Sequence, residues 1–278
     1  MNNNNKYAAC LVGMLLALCL GARADDGVRP VTESWMVGAG TSHMADTYLT
    51  PLRYSGWHTS LAYSRMQAAR FAPNWNLALD VALTLDSDKS PARNATMWGS
   101  MVRVGWGMMR RWRLDAVPVL TLAAGGELAF EGGALYNNHN GNNPVAAKGA
   151  VTLNATGLAA WHCRVGRLPV TLLYRPSMPL TGAFFSPDYG ELYYEIYLGN
   201  HSGLVHAAWP GSYFCLDNLL CADLHLWSGT SLRLGYSGRI FSSKANNIVS
   251  RLTTHAFVLG ITGDFTSLPI TTPATRAY

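Results

Sequence analysis

WNLALDVALTL, residues 75–85, places Trp75, Leu77, Leu79, Val81, Leu83 and Leu85 on one parity and Asn76, Ala78, Asp80, Ala82 and Thr84 on the other. Residues two apart share a face of a β-strand, so the stretch reads as a strand that is apolar on one side only. The same pattern recurs along the chain. Trp98, Val102, Val104, Trp106 and Met108 oppose Gly99, Arg103, Gly105 and Gly107; Leu232, Leu234, Tyr236 and Ile240 oppose Ser231, Arg233, Gly235 and Arg239. A soluble sandwich also alternates, but its wet face meets bulk water and carries Lys and Glu. Here the wet parity is Gly, Ala, Ser and Thr with isolated charges, which suits a narrow enclosed lumen.

Composition points the same way. The 278 residues are 49% hydrophobic and only 13% charged, against about 25% charged in an ordinary soluble domain. After the first residues no apolar run reaches the roughly 18 residues a spanning helix needs. The chain begins with Asn2–Asn5 and Lys6, continues through the apolar run Ala8 to Leu20, and reaches Ala22-Arg23-Ala24. That is the order of a cleaved export signal over 1–24, leaving a single domain at 25–278. An exported, weakly charged chain without a spanning helix is expected to be a transmembrane up-and-down antiparallel β-barrel of the Gram-negative outer membrane, with lipids as its partners.

Removing Lys6 and Arg23 from the 21 basic residues leaves 19 against 16 acidic, about +3. No Lys/Arg cluster or stacking motif suggests nucleic acid. Cys163, Cys215 and Cys221 are an odd set without CxxC spacing, which argues against zinc. They read as small apolar fillers, although Cys215 and Cys221 remain able to pair. No cofactor or metal site is expected.

About twelve strands are predicted, at 33–42, 55–65, 74–85, 95–110, 112–130, 148–163, 167–175, 190–198, 203–209, 213–227, 229–242 and 250–265. Short turns fall near Arg110-Arg111, Val165-Gly166 and Ser228-Gly229. They alternate with longer polar connections, of which the Asn-rich 131–148 is the clearest. Periplasmic turns and extracellular loops alternate in this way.

DTYLTPLRYSG (46–56), PLTGAFFSPDYGELYYEIYLGN (179–200), LRLGYSGRI (232–240) and THAFVLGITGDF (254–265) resemble a family of uncharacterised outer-membrane barrels, the domain of unknown function numbered 3316. The family phrase often has Ser where this chain has Glu191. The resemblance implies a fold and a location and brings no activity.

In the most specific of these phrases, Glu191, Tyr193, Glu195 and Tyr197 alternate with Leu192, Tyr194, Ile196 and Leu198. As a strand this would set the first four in the lumen, where carboxylates need cationic partners; Arg103, Arg175, Arg233 and Arg239 are the candidates. Glu191 and Glu195 would stand about 13 Å apart, too far for a glycosidase pair, which needs about 5–9.5 Å. The expected role is therefore a charge ladder that either braces the barrel or lines a path for small solutes. A lipid or glycan hydrolase is the alternative, with Asn200, His201, Ser202 and His206 of NHSGLVH supplying nucleophile and base. Their adjacency and a predicted periplasmic position favour a plain polar turn. A surface-binding barrel using 131–148 is a further alternative.

Overall fold

The computed structural model describes residues 30–69, 72, 74–114, 117–141, 143–227 and 229–266. The proposed signal at 1–24 and the terminal Tyr278 lie outside them. Eleven antiparallel strands and one short helix occur among these residues: β1 (Pro30–Asp46), β2 (Tyr54–Ala68), β3 (Trp75–Lys89), β4 (Thr96–Leu114), β5 (Val117–Asn137), β6 (Val145–Val165), β7 (Leu168–Phe185), α1 (Tyr193–Tyr197), β8 (Val205–Ala208), β9 (Tyr213–Trp227), β10 (Thr230–Ala245) and β11 (Ile248–Thr266). Neighbours in sequence pair in order, β7 passes to β9, and β1 pairs β11 from Pro30↔Thr266 to Asp46↔Ser250. The ring therefore closes on ten strands. β8 stands outside the count, paired with the upper end of β7 from Gly182↔Ala208 to Phe185↔Val205.

The twelve-strand expectation is thus corrected to ten. The segment 190–198 is no strand. Gly190 turns with φ +88°, Glu191 carboxylate accepts the Asp188 N–H at 2.9 Å, and Glu195 carboxylate accepts the Leu192 N–H at 3.0 Å. The first closes the turn 188–191, and the second caps the N-terminus of α1 at Leu192. The segment 203–209 shrinks to β8. Strand boundaries also move. β4 continues past Arg110-Arg111, whose partners are Ala124 and Ala123. β5 and β6 run to Asn137 and from Val145, so the Asn-rich connection is only 138–144. β7 continues through Pro176 and Pro179 to Phe185. A 19-residue strand such as β4 is about 60 Å long, well beyond the roughly 25 Å apolar belt of such barrels. Strand ends carrying arginine therefore stand in water.

Alternation divides the wall. Trp35, Trp57, Trp98, Trp106, Phe257 and Ile261 are exposed on the outer face, at 48–62%, and Trp35 leans on Tyr63 across β1 and β2 (4.8 Å). Inside, Met66, Ala78, Met109, Ala123, Leu158 and Leu173 pack into an apolar floor toward the end that carries both termini of the ring. Met44, Leu49, Tyr54, Met97 and Leu135 pack beneath the opposite end. At that opposite end β10 and β11 reverse through Asn246 and Asn247, at φ 50° and 60°. Asparagine tolerates this left-handed turn, which tight hairpins require.

Candidate functional site

Between floor and ceiling the small-residue parity of six strands brings charges together. Arg175 (β7) grips Asp80 (β3) as a fork, with Nη1 donating to Oδ1 at 2.7 Å and Nη2 to Oδ2. Its Nη2 also lies 3.9 Å from Glu127 (β5). Arg103 (β4) donates to Glu127, and a side chain at Gly105 would collide with that carboxylate at 2.1 Å, so glycine makes the room. Arg239 (β10) donates to Glu131 at 2.7 Å, and the phenol of Tyr213 adds a 3.3 Å contact. Asp217 (β9) stands between Arg103 and Arg239 at 4.0 and 3.7 Å. Lower down, Arg233 forks onto Asp223 at 2.7 and 2.8 Å and reaches Ser34. Paired forks of this kind satisfy charges that burial would otherwise make costly.

Three cavities lie along the lumen. An upper one of about 50 Å³ shares Arg239 with a middle one of about 190 Å³, and the middle one shares Arg175 with a lower one of about 20 Å³. The upper and middle cavities also share Met101, Glu131 and Leu252, and the middle and lower ones Leu219. The lowest space holds about one water.

The mouth is covered. The loop 47–53 between β1 and β2 and the loop 138–144 between β5 and β6 leave the ring on well-separated sides, yet Asn143 Nδ2 donates to Tyr48 Oη at 2.5 Å. Tyr48 Oη donates in turn to the Glu191 carbonyl at 2.6 Å. Tyr193 Oη accepts the Ala147 N–H at 2.6 Å, and Asn246 Nδ2 donates to the Gly203 carbonyl at 3.0 Å. The segment 186–204, with α1, is therefore a cap laid over the barrel. Burial raises the pKa of both tyrosines, and Tyr193 is pushed up to about 12 although the Ala147 N–H pulls it down. Both phenols stay protonated at neutral pH.

The expected ladder is corrected accordingly. Glu191, Tyr193, Glu195 and Tyr197 belong to the cap. Glu191 is buried, held by Asn200 at 2.8 Å, whereas Tyr197 is 83% exposed. Arg103, Arg175, Arg233 and Arg239 are in the lumen, but their partners are Asp80, Glu127, Glu131, Asp217 and Asp223. Asp80 was visible in the opening stretch, on the small-residue parity. Glu127 shares the inward parity of Thr121, and Asp217 that of Asp223. Glu131 was assigned to a loop and so missed. The NHSGLVH turn also lies at the cap end, because losing one strand inverts the parity. His206 Nε2 donates to the Ser186 carbonyl at 3.2 Å, which ties β8 to the start of the cap. The cysteines among the described residues are free.

A family model described as a protein of unknown function, DUF3316, matches residues 8–271. No curated protein matches the chain. Among solved structures it is similar to the outer membrane protease OmpT from Escherichia coli (TM-score 0.47, 6% identity, 86% of this chain and 97% of that one). It is also similar to the translocator domain of autotransporter NalP from Neisseria meningitidis (0.38, 12%, 94% and 97%) and to the COG4313 outer membrane channel from Pseudomonas putida F1 (0.34, 9%, 87% and 97%). No activity follows from these likenesses.

Proposed function

We propose, from the premise that the chain belongs to the DUF3316 family of proteins of unknown function, that it is an outer-membrane barrel forming a narrow pathway held shut at rest. The exported chain ends its signal at Ala24, sits in the outer membrane of a Gram-negative cell through its exposed Trp, Phe and Ile belt, and keeps both strand termini on the periplasmic side. The lumen passes small solutes only when the cap lifts. The observation that carries this reading is the bridge Asn143–Tyr48–Glu191, which ties three loops together across the mouth. An open porin has no use for such a tie.

Planar-bilayer conductance tests it. The wild-type barrel is expected to give no steady current. Tyr48→Phe combined with Asn143→Ala cuts the bridge and is expected to give brief openings of small unitary conductance, with cap release checked by protease cleavage within 188–203. A large steady wild-type current would mean an open pore. Silence in the released variant, with the cap demonstrably free, would leave a sealed structural barrel instead.

A further inference from the structure

With His58 counted as neutral, the middle cavity is lined by four carboxylates and three guanidiniums, although the chain as a whole is formally +5. Its three guanidiniums each have a carboxylate of their own: Arg175 has Asp80, Arg103 has Glu127 and Arg239 has Glu131. Asp217 is the fourth carboxylate. Its distances of 4.0 and 3.7 Å to Arg103 and Arg239 are ion-pair contacts that exceed hydrogen-bonding range; Cys215 Sγ donates weakly to its Oδ1 at 3.7 Å, and its side chain is 32% exposed and lines the cavity. Among the described residues, the other basic groups inside the barrel are paired, and Arg251 lines only the upper cavity and the rim. Arg233 is spent on Asp223, Lys148 on Asp46, and His58 on Asp86, while Asp88 accepts from Ser42.

One further polar atom lies beside Asp217. Ser177 is its register partner across β7 and β9, and the Ser177 Oγ is buried without a hydrogen-bond partner. Beside them the cavity wall turns apolar at Met36, Met101, Leu219 and Leu252. No group of three or more His, Cys, Asp or Glu among the described residues could hold a metal ion. A surplus carboxylate, an unpaired hydroxyl acceptor and an adjoining apolar wall form a site with a polar end and a greasy end. We infer that the chamber binds a small primary alkylammonium ion, its N–H donors on Asp217 and Ser177 Oγ and its alkyl chain against Met36 and Leu219. At about 190 Å³ the cavity exceeds the roughly 150 Å³ that accommodates a benzene-sized guest.

The test is refolding of the mature barrel into micelles in n-butylammonium chloride or in tetramethylammonium chloride at equal ionic strength, followed by thermal unfolding. Refolding around the probe removes any need to pass the cap, so the result speaks of the chamber and not of gating. A ligand that binds only the folded state raises the midpoint, by roughly 5–10 °C at one hundred times the half-saturating concentration. That rise is expected for butylammonium with wild type. It should need at least tenfold more probe in Asp217→Asn and in Leu219→Phe, which fills the cavity with the charges intact, and Ser177→Ala should fall between. An unchanged rise in both Asp217→Asn and Leu219→Phe overturns the site. So does an equal rise with tetramethylammonium, which has no N–H to donate and reports screening alone. A rise from sodium butyrate with none from butylammonium would mean that the guanidinium edges hold an anion instead.

Discussion

Arg175 shows how a single lumen side chain becomes indispensable without being favourable in itself. Its guanidinium is shared by Asp80 and Glu127, and all three side chains are largely buried (11%, 16% and 3% exposed). Desolvating such a set offsets most of its Coulomb gain, but removing one member strands the rest. Arg175→Met is therefore expected to destabilise the barrel by roughly 3–5 kcal/mol, read from urea unfolding in micelles. Asp80→Asn added to it should recover more than half of that loss, because Glu127 keeps Arg103. A strictly additive double variant would show that the fork carries no coupling. Sequence made the arginines legible, since a charge on a small-residue parity has to be inside. Their partners were not legible, because which carboxylate faces which guanidinium depends on the stagger between strands and on reach across the lumen.

At the scale of an element, the cap separates two readings of one short run. YYEIY alternates as a strand would, yet five residues also make one and a half helical turns, and a run this short does not distinguish the periods. Local donors and acceptors decide it. Glu195 back onto Leu192, Glu191 back onto Asp188 and the left-handed Gly190 close a helix before any neighbouring strand is available. The cap also has a pH limit. Burial raises Tyr193 to about 12 from the ordinary 10.0, so docking favours the protonated phenol. This contribution is whole below about pH 10 and is lost as pH rises toward 12. Protease cleavage within 188–203 should stay flat up to pH 9 and climb between pH 10 and 12. Tyr193→Phe should flatten that climb.

For the whole molecule, the alternation of faces in β3, β4, β9, β10 and β11 was readable residue by residue, because lipid outside and side chains inside impose it at every second position. The number of strands was not, because a strand and a loop helix of equal polarity look alike without their partners. The ring separates two ends, and the proposed sidedness can be tested on them. His139, in the loop 138–144, and Arg167, in the turn between β6 and β7, sit at opposite ends and are both exposed. His139→Cys is expected to react with a membrane-impermeant maleimide on intact cells, and Arg167→Cys only after the outer membrane is permeabilised. The reverse pattern would invert the barrel.

The seam between β1 and β11 joins residues such as Pro30 and Thr266 over all 17 positions of β1. Every other seam of the ring connects strands close in sequence, so each can zip up from its own turn or loop. This one has none, and closing a loop of more than two hundred residues costs on the order of 5 kcal/mol of chain entropy. The ladder must repay that cost all at once. Until Ile248–Thr266 is present and paired, the assembled staves form an open sheet with two bare edges, a state that hydrocarbon does not tolerate. Completion of the ring is then the slow step, and a chain stopped at Asn247 should persist as an aggregating sheet with no heat-resistant compact form.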